Sequence, residues 1–303
     1  MDRMDITIVI PAKNEAGSLD RLIPAIRQHQ PEADILVVND GSTDETASVC
    51  RKHGVRLVSH PYSMGNGAAI KSGVRNASGE IIVCMDADGQ HDPADISRLL
   101  DRISDGFDMV VGARQIDTHA STWRRLANSF YNRLASIMTG HEIRDLTSGF
   151  RAARRKQFLR FLYLLPNGFS YPTTSTMAFF RSGLPVAYVP IRAGEREGKS
   201  KIRIVRDGVR FLVIILKIGA LFSPMRFFLP VSAALFATGA SYYMYTYLNW
   251  GRLTNMSAIL FLSSLLTFLI GIVSEQVSSL HYMHSENGIH PRTDVDEKED
   301  HSK

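Results

Sequence analysis

Cysteine is scarce in this chain, because Cys50 and Cys84 are the only two among 303 residues. Cys50 falls in a predicted helix and Cys84 in a predicted buried strand, so we expect no disulfide framework, which fits a reducing compartment. No signal peptide is expected either, since Ile6–Ile10 already has the pattern of a strand. The ten histidines show no zinc-site spacing, and no Ser-His-Asp or Cys-His arrangement indicates covalent catalysis.

Familiar phosphate-binding motifs are lacking as well. Gly65-Asn66-Gly67 opens a predicted helix, and a helix N-terminus bared by glycines suits a phosphate. The spacing fits neither a Walker loop nor the GxGxxG fingerprint. A plain turn that starts the helix is the alternative interpretation. Gly67 and Lys71 are therefore candidate nucleotide contacts.

A strong excess of one charge is also missing. Lys and Arg number 35 against 30 for Asp and Glu, which gives a formal charge of +5. No nucleic-acid partner is predicted from so mild an excess. The hydrophobic share of 45% is ordinary for a soluble protein, yet the apolar residues crowd towards the C-terminus.

What the chain does contain is an alternation of strand and helix patterns. Predicted strands are Ile6–Ile10, Ile35–Asn39, Val55–Ser59, Ile81–Met85, Met109–Gly112 and Leu184–Pro190. Predicted helices are Ser18–His29, Thr43–His53, Gly67–Asn76, Ala94–Ile103, Trp123–Met138 and Thr173–Phe180. This alternation favours a doubly wound α/β fold with a mainly parallel sheet, in which ligands bind at the carboxyl ends of the strands.

The most informative stretch follows the apolar run Ile81–Met85, where Asp86, Asp88 and Gln90 come within a few residues of a predicted buried strand. Burying one carboxylate is unfavourable, and two close together repel each other. A divalent cation stabilises such a cluster, and hard oxygen ligands favour Mg²⁺ or Mn²⁺ over Zn²⁺. The alternative is a strand that ends in an Asp-rich turn before the next helix.

Two further loops at the same predicted edge carry polar clusters. One runs through Pro11, Ala12, Asn14 and Glu15, and the other begins at Asp40. Each could simply precede or cap a helix. Three such loops at one edge favour a binding site over three separate caps.

Arginines between residues 114 and 151 form a candidate anion-binding set. Arg114, Arg124 or Arg125, and Arg151 can offer forked donors to phosphate oxygens. For the later basic run at 154–156 we favour a solvated face. A charged loop at 194–201, which contains Arg196 and Lys201, is long enough to close over a site.

The C-terminal part changes character. Residues 201–226 form an amphipathic basic segment typical of a membrane surface, and Phe227–Leu248 and Met256–Ser274 are long enough to span a bilayer. A buried hairpin in a soluble core is the alternative. We therefore expect four parts: 1–200, the juxtamembrane segment 201–226, the hairpin 227–280 and a disordered tail 281–303. Lys and Arg before Phe227 predict an integral membrane protein with two spans whose N-terminal domain and tail face the cytoplasm.

Together these motifs resemble the polyprenyl-phosphate glycosyltransferases of glycosyltransferase family 2, which include dolichyl-phosphate mannose synthase and undecaprenyl-phosphate glucosyltransferases. The resemblance covers roughly residues 5 to 222. The matching stretches are 9–15, 37–44, 86–93, 145–151 and 198–201. Asn39 departs from the pattern, because many members carry an acidic residue there.

The resemblance implies a GT-A fold and inverting transfer of a hexose from a nucleotide sugar, such as GDP-mannose or UDP-glucose, to a polyprenyl phosphate. It places the nucleotide at Pro11, Ala12, Asn14, Glu15 and Asp40, and the metal at Asp86, Asp88 and Gln90. It assigns the acceptor phosphate to Arg114 and an Arg of the next helix, with Ser129 as a further candidate. It assigns the departing diphosphate to Arg196 and Lys201.

Two other functions are weighed against this one. A processive polysaccharide synthase would carry a Gln-x-x-Arg-Trp element, which this sequence does not contain. An inactive membrane-anchored scaffold that binds nucleotide sugars would not need Asp86, Asp88, Gln90 and Lys201. The residues do not identify the sugar or the length of the lipid. They do not decide the oligomeric state either, and a homo-oligomer is one of the possibilities.

Overall fold

The structure is a computed structural model that describes residues 5–114, 122–168, 170–192, 213, 216–217 and 224–287. The chain divides into an N-terminal unit, Met1–Arg226, and a C-terminal unit, Phe227–Lys303. The predicted loop at 194–201 lies outside the described residues, as does most of the amphipathic segment at 201–226.

The N-terminal unit contains a seven-stranded sheet in the order β3-β2-β1-β4-β6-β5-β7. The strands are β1 Ile6–Ala12, β2 Asp34–Asn39, β3 Arg56–Ser59, β4 Ile81–Cys84, β5 Met109–Arg114, β6 Arg151–Arg154 and β7 Val186–Ile191. Neighbouring strands run parallel except where β6 pairs with β4 and β5. The predicted α/β fold with a mainly parallel sheet is confirmed.

Helices cover the sheet. They are α1 Ala16–His29, α2 Thr46–Lys52, α3 Asn66–Asn76, α4 Asp95–Ser104, α5 Thr122–Thr139, α6 Arg155–Arg160 and α7 Tyr171–Arg181, with a short 3₁₀ helix at Leu162–Leu164. α4 shows why they pack as they do. Its residues Ile96, Leu99, Leu100 and Ile103 follow helical spacing and are all buried against the sheet.

Strand β6 was not predicted. Its sequence Arg-Ala-Ala-Arg lacks the β-branched, alternating pattern of an ordinary strand. Small side chains suit it because it lies between two strands, with Ala152 opposite both Val83 and Val110. Since β6 runs antiparallel, the residues before it reach the edge where the parallel strands end.

The C-terminal unit contains two helices, α8 Pro224–Trp250, which begins in the last residues of the N-terminal unit, and α9 Asn255–Asn287. Both are long and apolar enough to cross a membrane, judged by length and composition. Ser232 and Ser264 are buried between the helices, and each hydroxyl donates to the other residue's carbonyl oxygen at 2.9 Å. Large apolar side chains such as Leu266 and Phe236 point outward instead. Apolar surface outside and hydroxyl groups inside is the arrangement of helices packed in lipid.

One boundary of the predicted tail needs correction. The helix α9 continues through Asn287, whereas residues 281–303 were expected to be disordered. The polar residues after the apolar span carry no Gly or Pro up to this point, so helical hydrogen bonding continues past the apolar stretch.

Candidate active site

The end of β4 places the predicted metal ligands at the centre of the sheet edge. β4 lies between β1 and β6, and Asp86 and Asp88 follow it directly. Both carboxylates are half-buried. The Asp88 Oδ1 accepts a hydrogen bond from the Gln90 backbone N–H at 3.2 Å, which holds the turn closed. The chain therefore brings Asp86, Asp88 and Gln90 together as neighbours at the carboxyl end of a buried strand.

Asp86 sits in an environment that disfavours its charge. Burial raises the pKa of Asp86, the nearby His91 opposes this, and the negative charge of Asp88 adds to it. The two arginines Arg114 and Arg151 also act to lower the pKa. A cation bound between Asp86 and Asp88 would relieve both the burial penalty and the mutual repulsion.

A glycine on the neighbouring loop makes room for this carboxylate. A Cβ atom at Gly149 would meet the Asp86 Oδ2 at 2.5 Å. Any larger residue at this position would push the carboxylate away. Gly149 therefore belongs to the site by shape, and the sequence signal for it was its place in the 145–151 stretch that carries the family resemblance.

His91 is a second residue of the site that was not assigned a role from the sequence. Its ring stacks on Phe150 with centroids 5.0 Å apart and an angle of 16° between the planes. Its Nδ1 is buried and has no hydrogen-bond partner within the described part of the chain. Burial lowers the pKa of His91, while the negative charges of Asp86 and Asp88 act to raise it. The His91 ring thus lies near the carboxylates of Asp86 and Asp88 while one of its faces stacks on Phe150.

The loops after β1 and β2 are tied to one another. The Asn14 backbone N–H donates to Ser42 Oγ at 3.0 Å, and Asn14 Oδ1 accepts the Thr43 N–H at 2.8 Å. Asn14 adopts a positive φ of 57°, a conformation that Asn tolerates better than most residues. The two loops are held together at the edge of the sheet that also carries Asp86, because β1 lies between β2 and β4.

The remaining nucleotide candidates of this edge differ in exposure. Pro11 is half-buried at the end of β1 and pairs with Val38, while Ala12 is buried and its carbonyl accepts the Asp40 N–H at 2.9 Å. Glu15 is half-buried, and its backbone N–H donates to Thr46 Oγ1 at 3.1 Å. These contacts place all three at the predicted edge.

Asp40, a predicted nucleotide contact, also holds a neighbouring loop in place. Its carboxylate is buried and accepts hydrogen bonds from Ser63 Oγ, the Met64 N–H and the Gly65 N–H, at 2.7 to 2.9 Å. His60 Nδ1 adds a fourth contact at 2.8 Å. Burial opposes ionisation, but these hydrogen bonds prevail and hold the pKa of Asp40 below its ordinary value. Asp40 therefore fixes the loop at 60–65, and its contact with a nucleotide stays a prediction.

Gly67 and Lys71, two further predicted nucleotide contacts, are bonded to a distant segment of the chain. The N–H groups of Gly67 and Ala68 donate to the carbonyls of Gly168 and Asn167 at 3.1 and 2.9 Å. A Cβ at Gly67 would overlap the Pro166 carbonyl oxygen, so the glycine is required by this close approach. Lys71 Nζ binds the Leu165 carbonyl at 3.1 Å and also contacts Asn167 Oδ1. The helix start is thus capped by the 165–168 segment, which supports the plain-turn interpretation.

Arg114 ends β5 and is oriented by a carboxylate. Its Nε and Nη2 bind the two oxygens of Asp145 at 2.8 and 3.0 Å, a bidentate ion pair. Asp145 is buried, and although burial opposes its ionisation, Arg114 and the Thr147 N–H hold its pKa below 3.8. Arg114 itself remains 39% exposed. Sequence reasoning found Arg114 but missed Asp145 as the group that orients it.

Arg151 is not part of an open anion-binding set. Its side chain is fully buried. Nη1 donates to the Pro172 carbonyl at 3.0 Å and to Ser175 Oγ at 2.7 Å, and Nη2 contacts the Ser148 carbonyl. Its guanidinium also lies over the Tyr171 ring, 5.6 Å from the centroid. The expectation that Arg151 meets a phosphate is corrected: it ties the 148–149 loop to the start of α7.

The other acceptor and diphosphate candidates are less defined. Ser129 is exposed on α5. The side chains of Arg124 and Arg125 lie outside the described residues, although their backbone is part of α5. Arg196 and Lys201 lie outside them altogether. Their roles stay predictions.

The fold and the Asp-x-Asp pair at the end of a central strand define the GT-A class of glycosyltransferases. Residues 7–161 match the family described as Glycosyl transferase family 2, and residues 223–280 match the GtrB C-terminal hairpin. The chain belongs to glycosyl transferase family 2. The resemblance inferred from the motifs is thereby confirmed.

Curated relatives extend this assignment. Glycosyltransferase AglJ of Haloferax volcanii is 28% identical over 91% of this chain and 94% of its own length. The polyprenol monophosphomannose synthase of Mycolicibacterium smegmatis is 31% identical, covering 64% of this chain and 80% of its own. The undecaprenyl-phosphate mannosyltransferase of Micrococcus luteus is 32% identical, with 66% and 88% covered.

Solved structures agree on the fold. Glucosyl-3-phosphoglycerate synthase from Mycobacterium tuberculosis, in complex with Mn²⁺, uridine-diphosphate-glucose and phosphoglyceric acid, superimposes with a TM-score of 0.60. The alignment is 21% identical and covers 71% of this chain and 80% of that one. At this identity the likeness concerns the fold.

Proposed function

We propose that this chain transfers a hexose, with inversion, from a nucleotide sugar to a polyprenyl phosphate at the cytoplasmic face of a membrane. The observation that carries the proposal is the placement of Asp86 and Asp88 at the carboxyl end of the central strand β4, next to the Asp145-held Arg114. The names of the relatives support the acceptor, since two of them are a polyprenol-phosphate and an undecaprenyl-phosphate mannosyltransferase. GDP-mannose and UDP-glucose are the donor classes we propose.

The donor side of the site suits a divalent cation. No cluster of three His, Cys, Asp or Glu side chains that could hold a metal occurs among the residues that the structure describes. Two carboxylates and one amide oxygen, from Asp86, Asp88 and Gln90, remain as the donor set. Mg²⁺ is commonly held by one or two carboxylates together with substrate phosphates, so a partial protein shell fits. When bound, Mg²⁺ or Mn²⁺ would neutralise charge on the departing diphosphate.

The acceptor side needs a fixed cation of its own. A lipid monophosphate is anionic near neutral pH and can attack the anomeric carbon without a strong general base. The protein must then position two anions that repel each other. Arg114 is suited to this, because Asp145 fixes its orientation while its side chain stays 39% exposed. Arg125, Arg196 and Lys201 are proposed to complete the neutralisation.

The hairpin supports the membrane location of the reaction. Its outward surface is apolar, and its buried polar groups are serine and threonine hydroxyls within the described residues. A polyprenyl phosphate resides in the bilayer, so an anchored enzyme meets its acceptor at the membrane surface. The basic residues before Phe227 favour a cytoplasmic catalytic unit.

A donor screen tests the proposal. Purified full-length protein in polyprenyl-phosphate vesicles is incubated with radiolabelled GDP-mannose or UDP-glucose and with Mg²⁺, Mn²⁺ or a chelator. We expect one sugar per lipid, formed only with a divalent ion. A long polymer would indicate a processive synthase, and nucleotide-sugar binding without product would indicate a scaffold.

The variant Asp88→Ala sharpens the screen. We expect turnover to fall by about 10²- to 10³-fold, because charge stabilisation at the leaving group is lost. The control is Asp101→Ala, an exposed acid on α4, which should keep wild-type turnover. Full activity of Asp88→Ala would remove this residue from the site.

A further inference from the structure

The segment between α5 and β6 has no regular secondary structure, yet much of it is buried. It comprises residues 140–150, and Asp145, Leu146 and Ser148 within it are all buried. Backbone groups in such a segment lack the partners that a helix or a sheet supplies, so each of them needs another one. The groups that provide these partners decide the path of the chain here.

Two parts of the candidate site depend on the path of this segment. Asp145 binds the Nε and Nη2 of Arg114 at 2.8 and 3.0 Å. Further along, Gly149 lies against the carboxylate of Asp86. The same loop therefore holds the proposed acceptor-binding arginine and borders the proposed metal-binding carboxylate. A shift of this loop would change the distance between the two.

An asparagine of α5, the half-buried Asn132, holds the loop on both sides of Asp145. Its Nδ2 donates to the carbonyl oxygen of Arg144 at 2.8 Å. Its Oδ1 accepts a hydrogen bond from the backbone N–H of Leu146 at 3.2 Å. The side-chain amide thus pairs with the residue before Asp145 and with the residue after it, as a neighbouring strand would. An Asp side chain has the same shape but offers only acceptors when ionised, and a Leu side chain offers neither donor nor acceptor.

A helix cap would be the ordinary role for a polar side chain in this part of α5, but the contacts of Asn132 differ from it. The helix ends at Thr139, about two turns beyond Asn132. The hydroxyl of Ser136 serves the end of the helix, since it accepts the Ile143 N–H at 3.0 Å. The two partners of Asn132 lie 12 and 14 residues further along the chain, on either side of Asp145. The Asn132 amide therefore orders the loop.

We propose that Asn132 is a positioning residue of the transfer reaction. By fixing the loop around Asp145, it holds the Arg114 guanidinium where an anionic acceptor meets it, at a set distance from Asp86. This inference rests on the proposed function. Asn132 acts through Asp145 and Arg114, so its loss should change how the acceptor is used and leave donor binding intact.

Steady-state kinetics of Asn132→Asp in the full-length protein test the proposal. The aspartate keeps the shape of the side chain and the bond to the Leu146 N–H, but it places an oxygen against the Arg144 carbonyl. We expect kcat/KM for polyprenyl phosphate to fall by about 10- to 100-fold, because a small displacement of a positioning group misplaces the reacting atoms. The KM for the nucleotide sugar should stay at the wild-type value.

The same substitution elsewhere provides the control. Asn76 lies on α3, and its Nδ2 donates to the Ser72 carbonyl within the same helix at 2.8 Å. Asn76→Asp should therefore keep wild-type kinetics. Unchanged acceptor kinetics in Asn132→Asp, or an equal rise in the KM for the donor, would contradict the proposal. Thermal unfolding identifies a variant that fails to fold, and Asn132→Ala, which removes the amide without adding a charge, then replaces Asn132→Asp.

A double-mutant cycle with Arg114→Ala shows whether Asn132 acts through this arginine. If it does, the loss caused by Asn132→Asp should largely disappear when residue 114 is already alanine, so the two effects are non-additive. Independent contributions to the fold would give the product of the two single losses instead. Such a product would make Asn132 a purely structural residue and would overturn the proposal.

A measurement without turnover separates this inference from the proposed function. In protein that contains ¹⁵N-labelled arginine, the Nε–H signal of Arg114 is identified by its absence from Arg114→Lys. Because this N–H donates to Asp145 at 2.8 Å, Asn132→Asp should shift the signal and speed its exchange with water, and Asn76→Asp should leave it unchanged. An unchanged signal in Asn132→Asp would overturn the positioning role. If the wild type transfers no sugar to a lipid phosphate, the proposed function fails, while the Arg114 signal still decides the role of Asn132.

Discussion

The two units of the chain bury polar groups in different ways. In the N-terminal unit the buried polar groups include full charges, such as Arg151 and Asp145, and each has several partners. In the C-terminal unit the described buried polar groups are hydroxyls, as at Ser232 and Ser264, which bond to one another and to the backbone. The outer surfaces are reversed as well, since large apolar side chains dominate the exposed positions of the hairpin. The surface of the N-terminal unit thus suits water, and the surface of the hairpin suits lipid.

The largest effect should come from removing a buried charge. We expect Arg151→Met to lower the stability of the N-terminal unit by about 3–5 kcal/mol, because its carbonyl and hydroxyl partners lose their donors and Asp86 loses a nearby positive charge. Thermal unfolding of the detergent-solubilised protein measures this. Arg144→Met is the control, since Arg144 is exposed and pairs with an exposed Glu142 at 3.3 Å, so its loss should cost about 0–1 kcal/mol. An equal loss of stability in both variants would show that burial of Arg151 does not make its contacts more important than those of an exposed arginine.

A charge on the outside of the hairpin should come next. Leu266 is 51% exposed on α9, and we expect Leu266→Asp to disfavour membrane insertion by about 2.5–3.5 kcal/mol. The fraction of protein that resists carbonate extraction from membranes measures this. Gln28→Asp on the exposed surface of α1 is the matched control and should not change that fraction. If both variants insert like the wild type, the outer face of the hairpin does not meet lipid.

The pair of Asp145 and Arg114 should show a smaller effect that depends on pH. Because the folded pKa of Asp145 lies below its unfolded pKa, its ionised form stabilises the fold above the unfolded pKa, and this stabilisation is lost as pH falls through the folded pKa. Asp145→Asn should therefore cost about 1.5–3 kcal/mol at neutral pH. Urea titrations between neutral pH and pH 3 should show a shallower decline for the variant than for the wild type. Parallel declines would mean that Asp145 does not titrate at a lowered pKa.

The smallest effect should be found at the serine pair of the hairpin. Ser232→Ala and Ser264→Ala each remove one of two hydroxyls whose oxygens lie 3.2 Å apart. We expect a coupling energy of about 0.6 kcal/mol in a double-mutant cycle, the average for such bonds in membrane helices. Unfolding of the protein in mixed micelles by a denaturing detergent provides the four free energies. Additive single costs would show that the two hydroxyls do not stabilise each other.

Much of the N-terminal unit was predictable because its signals are local. The apolar runs and amphipathic spacings of β1, β2, β4 and α4 decide their own structure, and each was placed to within a few residues. The position of Asp86 and Asp88 at the end of β4 was predictable for the same reason, since an acid pair after a buried strand is visible in the sequence.

What could not be predicted from the sequence shares one cause, which is contact between distant parts of the chain. Whether Asp40 faces a ligand depends on the 60–65 loop, and whether Gly67 is open depends on the 165–168 segment. Arg151 has the composition of a phosphate ligand, but its burial follows from β6 pairing with both neighbours. His91 belongs to the site because it packs against Phe150, and Gly149 because it lies against Asp86. Neither contact is visible in the sequence.

The antiparallel strand β6 has a consequence for the order in which the protein is made. While the ribosome has released only the first half of the N-terminal unit, β4 pairs with β1 on one side and presents an open edge on the other. That edge is closed only when residues 151–154 emerge, some 70 residues after β4. An apolar strand with unpaired backbone groups can recruit another chain during this interval. We therefore expect the nascent chain to bind holdase chaperones most strongly between the emergence of β4 and that of β6, and to release them once the edge beside Asp86 is covered.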